Sequence, residues 1–413
     1  MLRFLIWLSR YLLALTFILS GFVKGIDPLG SAYKFGDYFM AFGMDFLVPF
    51  AVPFAFILCA AELLIGLLLF FKVQDRVAIW GAFLFMLVFT PLTLILAIFN
   101  PVTDCGCFGD AIILTNWETF FKNIPLFGAS LLLFYKRKNI SATFPFVQDI
   151  IIAFIFLVFS FLPSLHGYYN LPIIDFRPYS IGTNIPESMS FPENAPTDVY
   201  NTILIYEKDG VAKEFSQDNF PWQDTTWKFV DSKSILIKKG YTPPITDFAL
   251  NDLYGWDHTD SILHFSGYFM IAVSHRLDKA NHDAIADLNE LYFKSKELGI
   301  GFVCVTSSPA SEIDRFVSNT GVAFPFLLAD GIMLKTTIRA NPGLILLNNG
   351  TIIGKWHYRN FPEAEFFEGD LVGKTLKIQR NRIETLWVYL LISILVISKG
   401  VLVFLDRRNK ELE

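Results

Sequence analysis

Apolar and polar positions are distributed very unevenly along this chain. Five long apolar stretches crowd the first part, at 4–22, 46–71, 77–99, 120–135 and 150–165, and a sixth, at 385–405, lies near the end. A helix that crosses a bilayer needs about 20 mostly apolar residues, and the second, third and sixth stretches meet that requirement easily. The fourth is the weakest, because Lys122 and Pro125 interrupt it, although Trp117 just upstream suits an interfacial anchor. In the first stretch Arg10 splits the apolar run and no small-residue cleavage site follows, so the expectation is a retained helix rather than a leader peptide.

Between 167 and 384 the pattern becomes that of a globular protein. Alternating runs at 201–206 and 211–215 flank Lys208-Asp209-Gly210, a hairpin signal, and further short runs at 227–230 and 234–237 continue a β-rich segment. Beyond Gly240 the order is strand, helix, strand, helix, strand, strand. The strands are at 268–273 and 302–306, then at 343–347 and 351–357 around Asn348-Asn349-Gly350. Helices are expected at 283–298, where Ile285, Leu288, Leu291, Tyr292 and Leu298 share a face, and at 311–318 with Ser308 or Ser311 as cap.

Composition agrees with a membrane protein, since 53% of the 413 residues are hydrophobic and only 18% are charged. A net charge of −5 leaves no basic footprint for nucleic acid. The charges that matter are the Lys and Arg of the short loops. With the N-terminus in the cytoplasm, Arg3, then Lys72 and Arg76, then Lys136, Arg137 and Lys138, then Arg407, Arg408 and Lys410 all fall inside. Only Lys24, Lys34 and Lys122 fall on the other side among the short segments. This predicts a multi-pass protein of the cytoplasmic (inner) membrane with both termini cytoplasmic. The loop after the third span and the globular segment after the fifth are then extracytoplasmic.

Two resemblances refine this reading. Pro243-Pro244-Ile245-Thr246-Asp247-Phe248-Ala249-Leu250 with Gly255, then Asn341-Pro342-Gly343-Leu344-Ile345-Leu346, resemble the opening and the cis-proline strand of thioredoxin-like proteins of the TlpA and peroxiredoxin type. That resemblance implies a Cys-x-x-Cys pair after the first core strand. Here Arg276 and Lys279 stand at those positions, and neither supplies the thiolate that attacks a disulfide. Cys304 lies within a strand, where a packed thiol is the default, and His275 and His264 read as surface or packing residues.

Residues 1–140 resemble the DoxX and MauE-like membrane proteins. The likeness rests on Ser20-Gly21-Phe22-Val23-Lys24, Ala61-Glu62-Leu63-Leu64-Ile65-Gly66 and Cys105-Gly106-Cys107-Phe108-Gly109-Asp110, in that order. It implies a membrane module connected with extracytoplasmic thiol or electron-transfer chemistry. On physical grounds alone, Cys105 and Cys107 can meet only if the backbone bends sharply at Gly106, and so small a ring suits a redox-active pair. A structural turn and a pair of thiols touching some other ligand stay open, although two Cys without His argue against a metal. Asp104 and Asp110 nearby would oppose thiolate formation if close. Glu62 and Arg10 are ionisable groups inside spans and are expected to pair with each other, fixing helix register, with proton transfer by Glu62 as the alternative.

The expected fold is a helical membrane bundle of about six spans plus an extracytoplasmic α/β thioredoxin-like domain. The segments are a DoxX/MauE-like region at 1–140, a fifth span within 141–170 and a β-rich linker at 171–239. A thioredoxin-like domain at 240–365 and a final span at 383–406 follow. Its expected function is thiol–disulfide or electron-transfer chemistry at Cys105 and Cys107, with a quinone in the bilayer as candidate acceptor. The thioredoxin-like domain would hold a protein client. A non-enzymatic membrane-anchored assembly or binding protein is the alternative, and a small-solute transporter a distant third.

Overall fold

In the computed structural model, residues 1–102, 104–139, 143–381 and 384 are described. The N-terminal part is built from α1 (Leu2–Ile26), α2 (Pro28–Ala41), α3 (Ala51–Phe71), α4 (Asp75–Phe99), α5 (Asn116–Lys136) and α6 (Phe146–Tyr169). Among the described residues four helical stretches are long and apolar enough to cross a membrane: Leu2–Ile26, Asp45–Phe71, Asp75–Phe99 and Phe146–Tyr169. Helix α5 is less apolar but packs into the same bundle, its Leu126, Ala129 and Leu133 joining a core with Leu13, Phe17 and Ile79. The apolar stretch at 385–405 lies outside the described residues.

Helices α1 and α3 approach so closely that neither tolerates a side chain at two points. A Cβ on Gly21 would stand 2.4 Å from the Leu63 nitrogen, and one on Gly66 would stand 2.7 Å from that of Ile18. Small residues at a helix crossing let backbones meet within the membrane. Helix α2 was not expected from the apolar pattern, because its 14 residues are too few to span. Its start is nonetheless written locally: Asp27 accepts from the Gly30 N–H at 3.0 Å, with Pro28 at the first helical position. Helix α5 begins with a capping box in which Thr115 and Glu118 satisfy each other's backbone N–H groups.

Residues Thr183–Phe248 form a unit of their own. It opens with the short α7 (Ile185–Met189) and contains a sheet of β1 (Val199–Lys208), β2 (Val211–Ser216) and β3 (Lys228–Lys238) in the order β2-β1-β3. The β1–β2 hairpin turns on Asp209 and Gly210, both at positive φ (52° and 79°), as a two-residue turn of the primed type requires. The two runs expected at 227–230 and 234–237 are one continuous strand, β3.

The remaining elements are α8 (Thr259–Leu263), β4 (Tyr268–Val273), α9 (Asp283–Leu298), β5 (Gly301–Thr306), α10 (Ala310–Thr320), β6 (Phe326–Leu328), α11 (Gly331–Thr337), β7 (Gly343–Asn348) and β8 (Thr351–His357). The sheet order is β6-β5-β4-β7-β8, with β4, β5 and β6 parallel and β7 and β8 antiparallel to their neighbours. A parallel β-α-β unit completed by an antiparallel hairpin, with a cis peptide at Asn341-Pro342 before β7, is the thioredoxin-like arrangement. The N-cap of α10 is Pro309, without a side-chain bond. Ser308, expected as a cap, instead accepts from the Leu277 N–H at 3.1 Å and ties two loops together. Cys304 is 2% exposed in the core, where burial pushes its thiol well above the ordinary range.

Between α6 and the Thr183–Phe248 unit, residues 175–182 strap onto this sheet. Lys355 of β8 reaches Asp175 at 2.8 Å and the Tyr179 carbonyl at 2.9 Å, while Arg177 binds Asp175 at 2.7 Å and the Thr336 carbonyl at 2.8 Å. Burial would raise the Asp175 carboxyl, but the two cations outweigh it and hold the group at about 2. A depressed carboxylate contributes stability above its unfolded value of about 3.9, and that stability is lost as pH falls through the folded value near 2. Asp175→Asn leaves Lys355 and Arg177 buried without their counter-charge. Thermal unfolding of the full chain in detergent should show a loss of about 3–5 kcal/mol near neutrality, with the acid-dependent limb flattened.

Candidate functional site

The loop between α4 and α5 is held at both ends. Asn100 caps α4 in the left-handed region (φ 46°), and the Asn116 side chain donates to Asn100 Oδ1 and to the Val102 carbonyl, each at 2.8 Å. Within it Cys105 and Cys107 form a disulfide, and Gly106 takes φ 61°, the backbone bend such spacing demands. Three helices fix the turn. Tyr38 of α2 donates to the Cys105 carbonyl at 2.7 Å, Ser20 of α1 to the Cys107 carbonyl at 2.7 Å, and Thr119 of α5 lies 3.6 Å from Cys105 Sγ.

The acidic neighbours are already neutralised. Asp104 is paired with Lys34 at 2.6 Å and Asp110 with Arg339 at 3.2 Å, so the expected opposition to a thiolate is offset by a cation on each. Burial raises the Asp110 carboxyl, and Arg339 works against that.

Arg10 and Glu62 do not meet. Arg10 pairs with Asp75 at the start of α4 and donates to the Leu69 carbonyl at 3.3 Å. Glu62 pairs with Lys24 at 2.5 Å, and Ser20 lies 2.8 Å from its second oxygen. The reason is register. Gly21 against Leu63 and Gly66 against Ile18 carry Arg10 past the end of α3, and bring Lys24 level with Glu62. Depth counted from the ends of the apolar runs misses this, because α1 extends beyond α3.

Below the disulfide lies a cavity of about 90 Å³. Its polar lining includes Ser20, Lys24, Lys34, Glu62 and Lys122 with both cysteines, and its apolar part is built from residues such as Phe17, Phe85, Phe89, Leu96 and Leu126. Lys122, which weakened the case for the fourth span, stacks over Phe108 at 4.4 Å from the ring centre. Cys59, buried in α3, sits 3.8 Å from Ser31.

The cis-proline region of the thioredoxin-like part faces the same end of the bundle. Arg339, three residues before Pro342, donates to both oxygens of Asp27 at 3.0 and 2.9 Å as well as reaching Asp110. Burial would raise Asp27, but Arg339 and Arg177 with the Gly30 N–H bring it below the ordinary carboxylate range. Lys335 and Arg339 both lie over the Tyr33 ring of α2. The positions of the missing thiols carry no chemistry of their own: Arg276 is bound by Asp278, and Lys279 closes the short helical turn Leu277–Lys279. His275 beside them is kept neutral, its imidazole lowered to about 4 by burial and then by Lys335, Lys279 and Arg276. Among the described residues no group of His, Cys, Asp and Glu could hold a metal ion.

Residues 2–136 match the family model of methylamine utilisation protein MauE, and residues 200–239 match a domain of unknown function (DUF8463). Among curated proteins none matches. Solved structures that resemble the chain include a candidate protein disulfide isomerase of Bacteroides thetaiotaomicron, with 16% identity over 33% of this chain and 84% of that one, TM-score 0.25. Another is a secreted disulfide oxidoreductase of Mycobacterium tuberculosis homologous to E. coli DsbE (18% identity, 32% and 96%, TM-score 0.23). A third is peroxidoxin BcpB of the same organism (12% identity, 33% and 94%, TM-score 0.24). Residues 2–136 are thus similar to MauE, and the sheet order of the C-terminal part is that of a thioredoxin-like fold.

Because the α1–α3 contact sets the site, Gly21→Ala should separate the helices. An added methyl would strike backbone rather than a movable side chain. A loss of about 1–3 kcal/mol in thermal unfolding is expected, together with weaker protection of Cys105 and Cys107 from alkylation after reduction.

Proposed function

We propose that this chain is a cytoplasmic-membrane protein that moves electrons between an extracytoplasmic thiol and an acceptor in the bilayer, using Cys105 and Cys107. The observation that carries this reading is the placement of the disulfide among the residues that line a cavity inside the bundle. A ring closed across one residue is small, and a strained pair is the kind that is readily reduced.

The loop charges support this choice of side. Lys72 after α3, Arg76 in the first turn of α4, and Lys136 to Lys138 at the end of α5 support a cytoplasmic side there, with the cysteine loop outside. An oxidising compartment is where a disulfide persists. The apolar part of the cavity suits a hydrophobic two-electron acceptor of the quinone class. The thioredoxin-like domain, without a Cys-x-x-Cys pair of its own, holds a protein client by a surface other than the edge engaged through Arg339.

Thiol trapping in whole cells tests the reading. With a membrane-impermeant alkylating reagent, Cys105 and Cys107 should be labelled from outside after mild reduction, and the pair should be found in both oxidised and reduced forms as growth conditions change. Cys105→Ser or Cys107→Ser should abolish client oxidation with normal abundance. A pair fixed in one state under all conditions would leave the assembly-protein alternative standing in its place.

A further inference from the structure

We infer that Glu62 is the proton acceptor that accompanies oxidation of the Cys105/Cys107 dithiol, with Lys24 and Ser20 as the residues that position it. This rests on the redox reading above and specifies how the same site handles protons.

Three observations carry it. First, Glu62 is the single carboxylate among the described residues lining the cavity. Lys24, Ser20, Lys34 and Tyr38 face the cavity from α1 and α2, and Lys122 from α5. Helix α4 contributes Phe85, Met86, Phe89, Leu92, Thr93 and Leu96, none of them titratable, and α6 contributes no lining residue. Cys59, on α3 itself, is occupied with Ser31. Second, Glu62 is buried, with its side chain 8% exposed beside that of Lys24 at 9%, so a change in its charge is felt in full by its neighbours.

The third observation is the hydrogen-bond count at Ser20. Its one hydroxyl hydrogen faces two acceptors, Glu62 Oε2 at 2.8 Å and the Cys107 carbonyl at 2.7 Å. With Glu62 ionised, the one hydrogen is shared between both acceptors; with Glu62 protonated, Glu62 donates to Ser20 Oγ while Ser20 donates wholly to Cys107. The network therefore has a place for one proton beyond those of the ionised pair, and that place is linked directly to the backbone of the redox loop.

The reaction balances with a quinone as oxidant. Two S–H bonds of the reduced pair break, one S–S bond forms, and two electrons reduce the quinone to a quinol with two new O–H bonds. One thiol proton passes into the cavity to Glu62 as the first thiolate forms, and Glu62 then returns it to the reduced acceptor. The second thiol proton goes to the other acceptor oxygen as the disulfide closes.

The test uses the full chain in nanodiscs, reduced, freed of reductant and mixed with a short-chain ubiquinone, with re-formation of the disulfide followed by alkylation and mass. The wild-type rate should rise with pH to a plateau. Glu62→Gln should be slower by at least about 100-fold and lose that pH dependence, while Glu62→Asp keeps it. Diamide, a diffusible oxidant, should oxidise wild type and Glu62→Gln alike, which shows the thiols intact. Glu62→Gln re-oxidised by the quinone at the wild-type rate, with the wild-type pH profile, would overturn the inference. If that variant does not fold, Ser20→Ala, which leaves the ion pair in place, should still slow re-oxidation several-fold, and an unchanged rate overturns the inference equally. A wild type that the quinone leaves reduced overturns the redox reading itself, a result distinct from an unchanged variant.

Discussion

The close crossing of α1 and α3 is the constraint on which the rest of this molecule depends. Two glycines, Gly21 and Gly66, let the helices meet backbone to backbone, and a contact that tight admits one register. That register settles which buried charges find partners. Arg10 meets Asp75, and Lys24 meets Glu62. An ionisable group within a span costs a few kcal/mol on insertion scales, so an error of one helical turn here would strand charges in hydrocarbon. Packing of the smallest residues thus decides the electrostatics of the largest ones.

The same register builds the site. Ser20, on the turn that bears Gly21, reaches both Glu62 and the cysteine loop. The loop is further held by Tyr38 from α2, a helix whose start depends on Asp27. Asp27 in turn is the partner of Arg339 near the cis-proline of the thioredoxin-like part. A short chain of named contacts therefore runs from the bilayer-embedded ion pair to the globular domain. It gives that domain a mechanical connection to the cysteine loop even though Arg276 and Lys279 stand where its fold usually carries thiols.

Much of the fold was legible because its signals are periodic or local. The span α3 follows from a long apolar run, α9 from its amphipathic face, and the β1–β2 hairpin from Asp209-Gly210. What escaped were elements too short to show a period. Helix α2 is too short to span and too apolar to look like a surface helix, and β6 has three residues. The pairing of Arg10 and Glu62 was misread for a different reason. Depth along separate helices can be counted from sequence, but the offset between two helices is set by where their backbones touch, and that is a property of the pair.

The cavity itself left one trace in the sequence that charge patterning alone could expose. Basic residues cluster on one side of the predicted membrane, and Lys24, Lys34 and Lys122 are the exceptions among the short segments. In the structure all three line the cavity beneath Cys105 and Cys107, where Lys24 faces Glu62, Lys34 faces Asp104 and Lys122 covers Phe108. Charges that break a topological rule have no reason to be there for insertion, since they work against it. Their convergence on one small space accounts for them. Lysines that depart from the charge pattern are best explained by what they share, and here all three line the cavity that the two cysteines also line.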